Sequence, residues 1–362
     1  MIQDHLWPDL QHRLAQHGAK LEKTGFASLT GFAVGDHLAA LETFFATATA
    51  LANGTRATRP AVQPDPRFVA VCKAMLSLPR PRTSPDAKTF AEAHFSPWRI
   101  IRDPPNGFLT GYYEPEIAAS LVQTPEFCAP VLPRPADLAT IDRYPARHEI
   151  EARIAPHDPR ALVWLADAVE VFLVQVQGSA RVRLQDGRLL RLAYAGRNGR
   201  PYTSIGRILI NDGAISEPDM SLDLLKRWLR AAGVEQGQAG RAIMQCNESY
   251  VFFKLDDTLD PAAGPVGAAG VSLTPLRSIA VDRNIWFYGL PFWIDATLPW
   301  QGPGASPFRR LMVAQDTGSA ILGPARADLF FGWGEEAGVR AGGIRHPAEF
   351  TVLLPAGIGE RR

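Results

Sequence analysis

The spacing of apolar side chains divides the chain into stretches of different texture. Apolar positions recur at helical intervals over 6–21 and over 37–51, and Asp36 stands where the second of these helices would be capped. Ser84-Pro85-Asp86 ahead of 87–95 predicts a third helix, because the fixed φ and missing N–H of proline suit a first helical turn. From Gly107 onward short apolar runs are broken by Gly, Pro, Asn and Asp. The run 171–176 reads as a strand, as do 181–184 and 189–193. Between the last two lies Gln185-Asp186-Gly187-Arg188, where an Asp-Gly step supplies the positive φ of a tight hairpin. Helices return at 204–211 and at 220–232, the latter with Ser221 as N-cap and Gly233 as its stop. Beyond Asn247, strands are predicted at 250–254, 279–281, 292–295, 311–316, 328–331 and 350–354, with one short helix near 335–339. The Pro/Gly-rich stretch 255–270 reads as a flexible surface loop. Its Gly264-Pro265-Val266-Gly267-Ala268-Ala269-Gly270 lacks the Lys-Ser/Thr of a phosphate-binding loop.

Composition narrows the function classes. At 362 residues the chain exceeds what one core usually serves, so two domains are expected. Thirty-eight Lys plus Arg against thirty-seven Asp plus Glu leave a net charge of +1, which argues against nucleic acid as a partner and against purely electrostatic membrane binding. No run approaches the roughly 18 apolar residues of a membrane helix, and Asp4, His5, Asp9, His12, Arg13 and His17 near the start do not suit a signal peptide. Cys72, Cys128 and Cys246 form no C-x-x-C and are expected to be buried free thiols. His148-Glu149 has no second histidine at zinc-binding spacing, so no metal and no cofactor are expected.

Chemistry concentrates late in the chain. Asp316 and Asp328 each sit at the edge of an apolar strand, and alternation places Phe330 on the same face as Asp328. Aromatic surroundings disfavour the charged carboxylate and raise its pKa, as a general acid near neutral pH requires. The plainer reading is that each aspartate ends a strand and accepts a turn amide. Asp316-Thr317-Gly318 also matches an aspartic protease motif, but a single copy would need a homodimer to complete a site. No G-x-S-x-G is present to support a serine hydrolase. Two polar, aromatic segments suit sugars: Thr110, Tyr112 and Tyr113 in one, and Gln177-Gly178-Ser179 with the later Tyr202 and Ser204 in the other. Taken singly, these tyrosines read as packing residues.

Taken together and in order, the segments 107–116, 177–179, 194–206, 247–254, 278–282 and 311–343 resemble the membrane-bound lytic murein transglycosylase A family. The chain ahead of Gly107 carries little of that resemblance. The resemblance implies a mainly β fold with peripheral helices: a double-psi β-barrel domain, 1–113 and 247–362, interrupted by a second, smaller β-barrel-like domain, 114–246, with a substrate groove between them. It implies a peptidoglycan lytic exotransglycosylase whose acid/base is Asp328, with Asp316 in support. Thr110, Tyr112, Tyr113, Gln177, Gly178, Ser179, Tyr202 and Ser204 are expected to bind the glycan. It further implies a monomer in the periplasm, associated with the outer membrane, whose partners are peptidoglycan glycan strands and cell-wall synthesis or division proteins. The competing readings are the homodimeric protease and a glycan-binding module without catalysis.

Overall fold

The computed structural model describes residues 6–103, 105, 107–141, 143–258 and 260–359; Asp4 and His5 of the polar N-terminus lie outside these. In chain order the first elements are α1 (Leu6–Ala15), β1 (Ala19–Lys23), α2 (Leu38–Ala52), α3 (Pro66–Ser77), α4 (Ser84–His94), β2 (Phe95–Arg102) and β3 (Gly107–Glu114). Next come β4 (Glu116–Ala119), β5 (Ala129–Val131), α5 (Arg147–Glu151), β6 (Val163–Leu165), α6 (Ala168–Gln177), β7 (Ala180–Leu184), β8 (Leu189–Arg197), α7 (Ile205–Asn211), α8 (Leu222–Ala231), α9 (Ala239–Gln245) and β9 (Val251–Asp256). The chain finishes with β10 (Ser278–Val281), β11 (Pro291–Leu298), β12 (Ser306–Asp316), β13 (Arg326–Trp333), α10 (Gly334–Gly342) and β14 (Arg345–Pro355). Two compact units result. One holds the chain up to Tyr112, Ala263–Gly332 and the chain from Val339; the other holds Tyr113–Ala262 and Trp333–Gly338.

The first unit is built on an eight-stranded sheet ordered β1-β2-β14-β11-β12-β10-β13-β3. Because β3 also pairs with β14, strands β14-β11-β12-β10-β13-β3 close into a six-stranded barrel and leave no free edge among themselves. Closure brings backbones close together. A Cβ on Gly107 would lie 2.3 Å from the Ala325 carbonyl oxygen, and one on Gly111 would lie 2.7 Å from that of Ala341. Helices α2, α3 and α4 cover part of this unit through Phe44, whose ring meets Phe68 edge-on at 5.8 Å and Phe95 at 5.9 Å.

The second unit carries the four-stranded sheet β4-β7-β8-β9 and the two-stranded pair β5-β6. The β7–β8 hairpin turns at Gly187, φ 86°, as the Asp-Gly step predicts. Ser204 and Ser221 accept the backbone N–H groups of Arg207 and Leu224, capping α7 and α8. Val169, Phe172 and Leu173 of α6 pack with Ile205, Leu229 and Met244 from α7, α8 and α9 into one apolar cluster.

Several expectations are corrected. The run 171–176 lies in helix α6: Val169 to Gln175 are all buried, so the apolar pattern shows no face, and a buried helix and a buried strand look alike in it. Its ends carry the local signal, with Asp167 capping the Glu170 N–H and Gly178 at φ 85° closing the C-terminus. The helix expected over 6–21 stops at Ala15, because Gly18 turns at φ 63° into β1, which pairs with β2. The N-cap of α2 is His37 rather than Asp36, but the Asp36 carboxylate still accepts the Ala39 N–H of the first turn, and it also accepts the Arg277 guanidinium at 2.5 Å. Of the three cysteines only Cys72 is buried. The stretch 264–270 is no loose surface loop. Ala268 and Ala269 are buried, and a Cβ on Gly264 would stand 2.1 Å from the Leu273 carbonyl oxygen.

Candidate active site

The site in the barrel unit is organised by β10. Ala280 pairs with Asp316 of the parallel neighbour β12 and with Asp328 of the antiparallel neighbour β13. Directly paired residues project from the same face of a sheet, so the two carboxyls rise side by side, their Cα atoms about 10 Å apart across two strand spacings. A bulge creates this alignment. The register runs Ile279 to Ala314 and then Ala280 to Asp316, skipping Gln315. An unshifted ladder would set Gln315 opposite Ala280 and turn Asp316 to the other face. The extra residue is buried: Gln315 donates to the Thr43 carbonyl at 3.0 Å and the Thr47 hydroxyl at 2.8 Å, and accepts from the Ser278 hydroxyl at 2.6 Å. Helix α2 therefore holds the bulge that presents Asp316.

Strand β3 supplies the partners. Thr110 and Tyr112, two residues apart and hence on one face, donate to Asp328 Oδ1 at 2.5 Å and to Asp316 Oδ2 at 3.0 Å. The Tyr112 ring packs on Phe330 at 5.3 Å. Asp316 Oδ1 also accepts the N–H groups of Thr317 at 2.9 Å and Ala268 at 3.0 Å. Burial, opposed by Arg326 and the Thr110 hydrogen bond and helped by Asp316, raises the Asp328 pKa to about 6. Burial and the two carboxylates push the Tyr112 hydroxyl well above its ordinary range, so it remains a donor at neutral pH.

The other expected residues lie in the second unit. Gln177 ends α6 and accepts the Tyr113 N–H at 3.4 Å; Gly178 is the left-handed cap, and Ser179 is buried where the chain enters β7. Tyr202 is half-buried, and the Ser204 hydroxyl accepts the Arg207 N–H at 3.3 Å. Three participants escaped the sequence reading: Arg326, which donates to Thr110 Oγ1 at 2.8 Å, Gln315, and the Ala268 amide. A lone arginine and a backbone N–H carry no sequence signal. The glycines of 264–270 did: Gly264 and Gly267 permit the close approach, and Thr58 fastens the loop by donating its N–H to the Ala268 carbonyl at 2.9 Å.

Two family models match the chain: the MltA specific insert domain over residues 108–254 and the 3D domain over residues 277–354. The chain is 31% identical to a membrane-bound lytic murein transglycosylase from Agrobacterium tumefaciens, with a TM-score of 0.82 covering 93% of this chain and 98% of that one. The chain belongs to the MltA family. It is 36% identical over 252 residues to membrane-bound lytic murein transglycosylase A of Escherichia coli K12, a match covering 68% of this chain and 65% of that relative's length. A crystal structure of E. coli MltA with bound chitohexaose is 27% identical, with a TM-score of 0.67, and covers 94% of this chain and 95% of that one. Thr110, Tyr112, Tyr113, Gln177, Gly178, Ser179, Tyr202 and Ser204 fall within the MltA insert-domain match; Asp316 and Asp328 fall within the 3D-domain match.

Proposed function

We propose that this chain is a lytic transglycosylase that cleaves the β-1,4 bond between N-acetylmuramic acid and N-acetylglucosamine in peptidoglycan. The observation that carries the reading is Asp328, a carboxyl in the barrel of an MltA-family chain that keeps its proton up to about pH 6. Asp328 protonates the glycosidic oxygen as the bond from C1 breaks, and N-acetylglucosamine leaves with its hydroxyl restored. The resulting carboxylate takes the proton of the C6 hydroxyl on the same muramic residue, whose oxygen then attacks C1 and closes a 1,6-anhydro ring. Glycosidases that use water normally need a second carboxylate to activate it. Here the nucleophile is tethered, and well-oriented intramolecular attack reaches effective molarities of about 10⁵ M or more. One acid/base group then suffices, and Asp316 stabilises the positive charge that develops near C1.

Thr110, Tyr112, Tyr113, Gln177, Gly178, Ser179, Tyr202 and Ser204 are proposed to bind the glycan. The relatives are named as membrane-bound, and we place this chain in the periplasm beside the outer membrane; no helix among the described residues is long and apolar enough to cross a membrane. Incubation with purified sacculi and mass spectrometry of the released muropeptides tests the activity. The wild type should release ends of 1,6-anhydro-N-acetylmuramic acid. Asp328→Asn should still sediment with sacculi and release none, a loss of about 10²-fold or more. Equal release by both proteins would remove Asp328 from the role. Binding without release by either would indicate a glycan-binding module.

A further inference from the structure

One charged side chain in the barrel site has no part in the reaction above. Arg326 lies two residues ahead of Asp328 on β13, with its guanidinium over the Phe108 ring at 5.4 Å. Its Nη1 donates to the Ala327 carbonyl and its Nη2 to Thr110 Oγ1 at 2.8 Å. Thr110 in turn donates to Asp328 Oδ1 at 2.5 Å. A guanidinium offers only donors and a hydroxyl has a single proton. Thr110 therefore accepts from Arg326, and its proton is available to the carboxyl. When Asp328 is ionised this direction is obligatory. When Asp328 is protonated, a proton on Oδ1 would leave Thr110 accepting from two donors, with its own proton displaced from the carboxyl. The arrangement thus favours the acid proton on Oδ2.

We propose that Arg326 is a positioning residue: by holding the Thr110 oxygen it commits the threonine proton to Asp328 Oδ1 and leaves Oδ2 as the oxygen that delivers the acid proton to the glycosidic oxygen. The delivery step rests on the transglycosylase reading of Asp328. Arg326 also tunes when that proton is present. The polar groups around Asp328 are Arg326 on β13, Thr110 and Tyr112 on β3, and Asp316 on β12; the β10 residue opposite is Ala280, which brings no charge. Burial raises the Asp328 pKa, Arg326 and Thr110 oppose that rise, and Asp316 adds to it. Removing Arg326 therefore leaves the carboxyl protonated to higher pH.

The test titrates the Asp328 carboxyl by carbon NMR in substrate-free protein, with its resonance identified by its loss in Asp328→Asn. Alongside it, the pH profile of anhydro-muropeptide release from sacculi is recorded. Arg326→Met should move the titration midpoint up by about one pH unit, as expected for losing a close opposite charge, and the alkaline limb of activity should follow. Arg326→Lys should leave the midpoint in place. Arg326→Gln keeps a donor near Thr110 without the charge, so it should shift the midpoint as Met does and provides the same reading should Arg326→Met not fold. An unmoved midpoint in the uncharged variants, or an equal shift in Arg326→Lys, would overturn the inference. If the midpoints move as stated while the wild type releases no anhydro ends, the control of Asp328 by Arg326 stands and the transglycosylase reading fails.

Discussion

Asp328 owes its behaviour to opposing influences that single substitutions can separate. Burial outweighs the guanidinium two residues away, and the carboxyl stays protonated to about pH 6. Activity that needs the protonated acid should therefore fall as pH rises through that value. Asp316 contributes in the opposite sense to Arg326, because like charge favours the protonated form of its neighbour. Asp316→Asn should lower kcat by about tenfold or more through lost charge stabilisation and move the alkaline limb to lower pH. An alkaline limb that stays in place in a kcat/KM profile would contradict this coupling. That Asp328 and Phe330 stand two residues apart on one strand was legible from alternation. The Arg326 relay was not, because Thr110 and Arg326 stand 216 positions apart in the chain and meet only through the β13–β3 pairing.

The active-site strands depend on a helix far from them in sequence. Gln315 fills the bulge in β12 and is held by Thr43 and Thr47 of α2 and by Ser278 of β10, all buried. Gln315→Leu would take the amide away from the Thr43 carbonyl and the Thr47 hydroxyl and leave the Ser278 proton without its acceptor, at about 1–3 kcal/mol for a buried polar group left unsatisfied. Chemical denaturation should show that loss together with a fall in kcat, since the bulge sets the level of Asp316. A variant as stable and active as the wild type would show that the bulge needs no brace. The sequence already marked α2 as a helix with an apolar pattern, but not what it touches. Strands β10 to β14 and the β7–β8 hairpin were readable because alternation and turn chemistry are local. Helix α6 was misread since a helix buried on every side has no amphipathic period. The 264–270 loop was misread since glycine permits a close approach as readily as it permits flexibility.

For the molecule as a whole, the acid proposed to serve the reaction weighs against folding at neutral pH. A carboxyl with an ordinary pKa of 3.8 that is raised to about 6 on folding adds stability in full below the lower value, and this is lost as pH rises through the upper one. The difference corresponds to about 3 kcal/mol between acid and neutral conditions. Asp328→Asn has no such ionisation, so it should melt at a higher temperature than the wild type at pH 7, with the two converging below about pH 4. Calorimetry across that range checks the sign; a variant that melts lower at pH 7 would contradict it. The central claim is that the attacking oxygen belongs to the sugar. Digesting sacculi in water labelled with heavy oxygen tests it most directly: released muramic ends should be anhydro and carry no label, whereas reducing ends bearing the label would show that water is the nucleophile and that this chain hydrolyses the bond.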